Sequence, residues 1–375
     1  MHAALVTTTI RVPRCLGPIL EDCASHPGRM TRLTVVVIGD RKSDPATGSY
    51  LSGLARSHPF DVQWWDIERQ RGWLARVPDL DRAIPENSIQ RRNVGYLLAA
   101  LAGAATIISI DDDNFLGGDP FLPDHLTVGQ EVAASEVSTS SGWFDPCLLM
   151  HSERGRRVYH RGYPASLRGR DGAESYARAT RRVAVNVGLW TGTPDANAWS
   201  HIEDPATFSG FRPDARVPLL LGRDTLAPFN SQNTAWDAKL VPCSYLLVMG
   251  DEIDGQRVGR YDDIWQAYFA EMVIRATGGA VLFGRPLLEQ RRNPHDFLDD
   301  LAQEVPAARM TETLLPFFRT ELGASTPRDA YGELTDRLEA FVASAPFRRA
   351  ERTFWEKAIA RMRAWTAAVA TLGLA

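Results

Sequence analysis

Between Leu5 and Ile110 the chain alternates short β-branched runs with helical stretches, and this alternation is the strongest constraint on what it can fold into. Strand-like runs at Leu5 to Arg11, Leu33 to Gly39, Phe60 to Trp65 and Thr106 to Ile110 are interleaved with helix-like segments at Cys15 to Ala24 and Val94 to Ala104. Two parallel strands can be joined only by a crossover, which is usually a helix. The order therefore predicts an α/β fold whose mixed, mostly parallel sheet is flanked by helices. In open sheets of this kind ligands bind beyond the carboxyl ends of the strands. Asp40 and Asp111 both stand at such exits.

Downstream, Asp119 to Gly210 reads as a turn-rich, irregular insert. Apolar residues at helical spacing from Asp262 to Ala276, then a strand-like Ala280 to Phe283, read as the last unit of the core. After Arg285 helical segments follow near His295 to Glu304, Glu312 to Leu322, Ala330 to Ala343 and Arg348 to Leu372. At 375 residues the chain exceeds the size at which single cores tend to split. The expectation is a catalytic domain over residues 1–290 and a helical extension over 291–375 packed on it.

Composition narrows the class. With 44% hydrophobic and 23% charged residues, and no apolar run near 20 residues, no membrane span is expected. A net charge of −4 offers no field to gather nucleic acid. Four scattered cysteines without a Cys-x-x-Cys pair argue against a zinc knuckle or disulfide framework. The opening Met1-His2-Ala3-Ala4-Leu5-Val6 lacks the pattern of a secretory signal and reads as a first strand, so a cytoplasmic location is expected. Gly-rich phosphate loops, His-Glu-x-x-His and Gly-x-Ser-x-Gly are absent from the sequence.

Three stretches carry chemistry. Thr106-Ile107-Ile108-Ser109-Ile110 runs into Asp111-Asp112-Asp113, whose mutual repulsion needs a counter-charge; a divalent cation bridging to a diphosphate supplies one, and a solvated acidic turn is the alternative. His160 to Gly169 carries Arg161 and Arg168, whose guanidinium forks suit phosphates, against the reading of a solvated basic loop. Gly259-Arg260-Tyr261-Asp262-Asp263 puts two carboxylates at the first turn of a helix, either as caps or as a base for an acceptor. Asp40 could receive a base or ribose, or simply close a turn.

Together these segments resemble the reversibly glycosylated polypeptide family, the plant UDP-arabinopyranose mutases, from about Thr8 to about Phe341. The resemblance is carried, in order, by Arg92 before Gly95-Tyr96, Ser109 to Asp113, Arg161-Gly162-Tyr163-Pro164 with Ser166-Leu167-Arg168, Val187-Gly188-Leu189-Trp190 with Pro194-Asp195, Asn233, Gly259 to Asp263 with Trp265, and Asn293-Pro294. It implies a glycosyltransferase A-type fold. It also implies that Asp111 and Asp112 contact sugar and ribose, that Asp113 holds Mn²⁺ or Mg²⁺, and that Arg161 becomes reversibly glycosylated with Arg168 in support. Thr9, Arg11, Asp40, Arg92, Trp190 and Asn233 are the further nucleotide-side contacts expected. The chain also departs from the pattern: Leu287 to Arg292 stands where the family has a histidine, so Glu289 is the expected second metal ligand, with His295 just beyond. Asn114 replaces a cysteine, and the acidic stretch after the second strand is rebuilt around Asp40, Arg41 and Lys42.

The function expected is transfer of a glycosyl unit from a UDP-sugar, or another nucleoside diphosphate sugar, to an unknown acceptor. Two alternatives stand beside it: a pyranose/furanose mutase self-glycosylated at Arg161, and a non-catalytic scaffold subunit. Homo-oligomer formation is left open.

Overall fold

The computed structural model describes residues 1–170, 172–203, 205–292 and 296–374. Strands β1 (His2–Thr8), β2 (Arg32–Ile38), β3 (Asp61–Trp65) and β4 (Thr106–Ile110) form the parallel half of the sheet, in the order β3-β2-β1-β4. Their side chains alternate between two apolar layers: Ala4, Val6, Val36 and Ile38 face one, whereas Ala3, Leu5, Val35 and Val37 face the other. A sheet covered on both faces needs near-continuous apolar strands, which is why these runs do not alternate with polar residues. Helices α1 (Leu16–Ser25) and α2 (Arg92–Leu101) are among the crossovers.

The other half is largely antiparallel. It is built from β5 (Asn114–Leu116), β6 (Glu131–Thr139), β7 (Glu174–Gly192), β8 (Leu219–Leu221), β9 (Asn233–Asp237) and β10 (Ala280–Gln290), and it joins the first half through β9 against β4. The expected irregular insert from Asp119 to Gly210 is thus corrected: it contains β6 and the 19-residue β7. The first half of β7 pairs only with β6 and is largely solvent-exposed, so its arginines and threonines carry little apolar signal. Its second half is buried between β9 and β10.

Helix α3 (Asp262–Thr277) is buried at every residue from Asp262 to Ile274 and ends on Gly278 in a left-handed conformation. Against it pack α4 (Phe297–Phe318), α5 (Pro327–Ser344) and α6 (Arg349–Thr371). Helix α4 runs through Pro306 and Pro316, where the sequence reads as two helices. Trp265 of α3 meets Trp355 of α6 at 4.7 Å between ring centroids, and the tail residues Leu314, Leu338, Ile359 and Trp365 lie in the same apolar cluster as α3. Among the described residues no helix is long and apolar enough to cross a membrane.

Candidate functional site

A cavity of about 680 Å³ opens at the carboxyl end of β4, walled by the ends of β1 and β10, the entry to β9, the first turn of α3 and side chains of the tail. It brings together Arg92, Asp111, Asp112, Asp113, Arg161, Asp262 and Asp263 of the expected site.

The acidic loop has an internal counter-charge. Arg92, 1% exposed at the start of α2, donates to Asp111 Oδ1, to Thr8 Oγ1 at 3.0 Å and to Ser231 Oγ at 3.0 Å. Burial alone would disfavour that cation, but the Asp111 carboxylate holds it firmly protonated. Asp112 accepts from Thr9 Oγ1 at 2.6 Å, and burial raises its carboxyl. Asp113 is pushed up to about 7, by burial first and then by the charges of Asp111 and Asp112, with Arg292 opposing. Its Oδ1 is buried and has no hydrogen-bond partner among the described residues.

Across the cavity, Arg161 is closed in. Nε and Nη2 donate to Asp195 at 2.9 and 2.8 Å, Nη1 and Nη2 reach Asp263 at 3.1 and 3.4 Å, and Nη1 also donates to the Arg260 carbonyl. These acceptors match the five N–H groups of a guanidinium. Its pKa is raised further above the usual arginine range because Asp195 and Asp263 outweigh burial. Asp195 is held well below the usual carboxylate range, chiefly by Arg161. The loop needs glycine after Arg161: Gly162 has φ 88°, and a Cβ there would lie 2.2 Å from Ile264 Cγ2 of α3. Arg260 extends the network into the tail, pairing with Glu304 at 2.9 Å and Asp300 at 3.2 Å. Asp262 accepts from Gln90 Nε2 at 2.8 Å; burial and the neighbouring Asp263 push its carboxyl up to about 6.

Other expected residues lie off the cavity wall. Arg168 sits over Trp199 and Tyr159, at 4.2 and 5.0 Å from their ring centroids. Trp190, 1% exposed, stacks between His160 and Phe208. Asn233, 0% exposed, donates to the carbonyls of Leu189 and Pro286 and meets His125, so it ties β7, β9 and β10 together. Asp40 accepts from the Ser88 backbone at 3.0 Å and shapes the loop at the cavity rim. Arg11 is exposed beyond β1, which stops at Thr8. Glu289 pairs with Arg291 at 2.8 Å, whereas its strand neighbour Gln290 lines the cavity. Successive strand residues face opposite ways, so Glu289 and Gln290 point to opposite faces of β10. Asn293, Pro294 and His295 lie outside the described residues. Among the described residues, no three His, Cys, Asp or Glu side chains converge as a metal-binding group.

Sequence reasoning did not single out Gln232, Gln290, Arg292, Gln303 or Arg361 as site residues, yet all line the cavity. No motif marks them. The placement of Gln290 follows from the pleat and register of β10, that of Arg292 from its contacts with Asp195 and the Pro194 carbonyl, and that of Gln303 and Arg361 from how the tail docks.

A family model described as reversibly glycosylated polypeptide matches residues 76–373. Probable UDP-arabinopyranose mutase 4 of Arabidopsis thaliana is 29% identical over 234 residues, which cover 61% of this chain and 59% of that protein. UDP-arabinopyranose mutase 1 of Oryza sativa subsp. japonica is 30% identical over 224 residues, covering 60% and 56%. The chain thus matches somewhat less than two thirds of the length of these relatives. Among solved structures, glucosyl-3-phosphoglycerate synthase from Mycobacterium tuberculosis with Mg²⁺ and uridine-diphosphate is 12% identical, covering 82% of this chain and 78% of that one, with a TM-score of 0.38.

Proposed function

The chain belongs to the reversibly glycosylated polypeptide family, and on that premise we propose that it binds a nucleoside diphosphate sugar, a UDP-sugar first, in the Asp111–Asp113 cavity and transfers the glycosyl unit to an acceptor. The observation that carries this reading is the cavity itself, in which three consecutive carboxylates at a strand exit face buried guanidinium groups. The acidic loop fits a divalent cation: Asp113 has a buried carboxylate oxygen with no partner among the described residues, and Asp111 and Asp112 stand beside it. A bound Mn²⁺ or Mg²⁺ would neutralise charge on the leaving diphosphate.

The protein's own groups divide the remaining work. Arg92 orients Asp111, and Thr9 orients Asp112, which fixes both carboxylates before ligand arrives. Asp262 lines the cavity with a carboxyl raised to about 6, so it is ionised near neutral pH and suited to take a proton from an acceptor hydroxyl.

A second reading, ring interconversion of the nucleotide sugar, is supported by the mutase names of the relatives and by the presence of Arg161 in the same cavity. Covalent capture by Arg161 requires a neutral guanidine, and the two carboxylates around it oppose that form. Transfer is therefore preferred. The test is NMR of the protein with a UDP-sugar and Mn²⁺ and no acceptor: slow hydrolysis is expected, and steady accumulation of a furanose isomer would replace transfer with the mutase reading.

A further inference from the structure

Four residues that line the cavity each carry a buried polar atom with no hydrogen-bond partner among the described residues: Asp113 Oδ1, Gln290 Oε1, Gln232 Nε2 and Arg292 Nη1. Two are acceptors and two are donors, which is the complement of a cation paired with an anion. Unpaired buried polar groups are costly, so four at one place point to a ligand that satisfies them.

The backbone holds them close together. The Asp111 N–H donates to the Gln232 carbonyl at 3.3 Å, and the Arg291 N–H donates to the Asp113 carbonyl at 3.1 Å, so the acidic loop is stitched to both flanking segments. Gln290 pairs in register with Asn114. Each side chain is also aimed. Gln232 Oε1 accepts from Asn230 Nδ2 at 2.9 Å, and that nitrogen also reaches Asp195 at 2.7 Å, which leaves Gln232 Nε2 as the unmatched end of the amide among the described residues. Arg292, its side chain 7% exposed, is anchored through Nη2 to Asp195 and the Pro194 carbonyl, both at 3.4 Å, leaving Nη1 available. Arg92 and Arg161 already use their N–H groups on protein acceptors. Among these three arginines of the cavity, Arg292 is the one with an N–H unmatched among the described residues.

We propose that Gln290 Oε1 joins Asp113 Oδ1 as an oxygen donor to the divalent cation, and that Arg292 Nη1 and Gln232 Nε2 bind the diphosphate oxygens. The assignment rests on the nucleotide-sugar reading. It moves the second metal ligand from Glu289 to its strand neighbour and the phosphate cation from Arg161 to Arg292.

The test uses the full chain, with calorimetry for UDP and electron paramagnetic resonance for Mn²⁺ in the presence of UDP. Arg292→Ala should weaken UDP binding roughly tenfold, with partial recovery in Arg292→Lys, because a charge-assisted bond is removed and then partly restored. Gln290→Glu should tighten Mn²⁺ several-fold by adding a charged oxygen, a gain that misfolding cannot mimic, and Gln290→Leu should loosen it. UDP binding by Arg292→Ala equal to that of the parent overturns the Arg292 assignment, and unchanged Mn²⁺ affinity in Gln290→Glu overturns that of Gln290. A parent protein that binds no nucleoside diphosphate with or without Mn²⁺ instead overturns the nucleotide-sugar reading, and the assignment with it.

Discussion

The two walls of the cavity, both built from carboxylates and guanidinium groups, are finished to different degrees. Around Arg161 every charge has its opposite inside the protein: Asp195 and Asp263 saturate the guanidinium, and Asn230 and Arg292 complete Asp195. Around Asp113 the neutralisation stops short: among the described residues one carboxylate oxygen is unmatched and three neighbouring side chains hold unused donors or acceptors. The closed wall is built to stay as it is, and the open wall is built to receive something. Electrostatic preorganisation needs both, since a group can be aimed at a ligand only if its support does not move.

The sharpest way to break this contrast is at Asp262, which stands at the start of α3 beside the closed wall but is offered as a reacting group. Asp262→Asn should lower turnover by roughly 10²–10⁴-fold. In the parent, kcat/KM should rise with pH through about 6, as the raised carboxyl loses its proton, and the variant should lose that limb. A persistent limb in the variant would assign it to another group.

Next comes the closed wall. Asp195→Ala strands Arg161 and Arg292 without their shared counter-charge and should cost about 3–5 kcal/mol in urea unfolding, as breaking a buried ion pair does. A loss below about 1 kcal/mol would mean that the wall is less closed than the contacts imply. On the open wall, Asp113→Asn should reduce UDP affinity on the order of tenfold and remove its dependence on Mn²⁺ in calorimetry, with little change in unfolding. The smallest effect is expected at Arg168, stacked over Tyr159 and Trp199 away from the cavity. Arg168→Ala should cost roughly 1 kcal/mol of stability through the lost cation–π contacts, and UDP affinity should move by less than about threefold. A tenfold loss of UDP binding there would return Arg168 to the phosphate clamp that its motif suggests.

Contiguous features were legible in the sequence and conformational ones were not. Thr106 to Ile110 is β4 with the bounds read from its β-branched run, because a strand buried on both faces writes an unbroken apolar stretch. The acidic triplet at its exit and Arg161 with Asp262 and Asp263 meet in one cavity, and each belongs to a short motif. Trp190 and Asn233 belong to equally regular motifs, yet their side chains hold strands together inside the core, since a motif records that a residue is needed without saying for what. Choosing Gln290 over Glu289 required the phase of β10, and a one-residue shift reverses every side chain of a strand. The long β7 is not legible in the sequence because its exposed half has no apolar period, and α4 reads as two helices because proline usually interrupts a helix.

Arg260 joins regions that chain order keeps apart: its carbonyl holds Arg161, and its side chain is held by Glu304 and Asp300 of α4. Sliding α4 by one helical turn would carry Glu304 about 5.4 Å from that guanidinium and leave both charges searching for partners. Recombination that exchanges the tail between relatives, in nature or in a chimera, is therefore constrained by this one contact. A crossover placed between Gln290 and Phe297 would need to import a compatible partner for Arg260, or the two inheritances would meet at a broken seam beside the cavity.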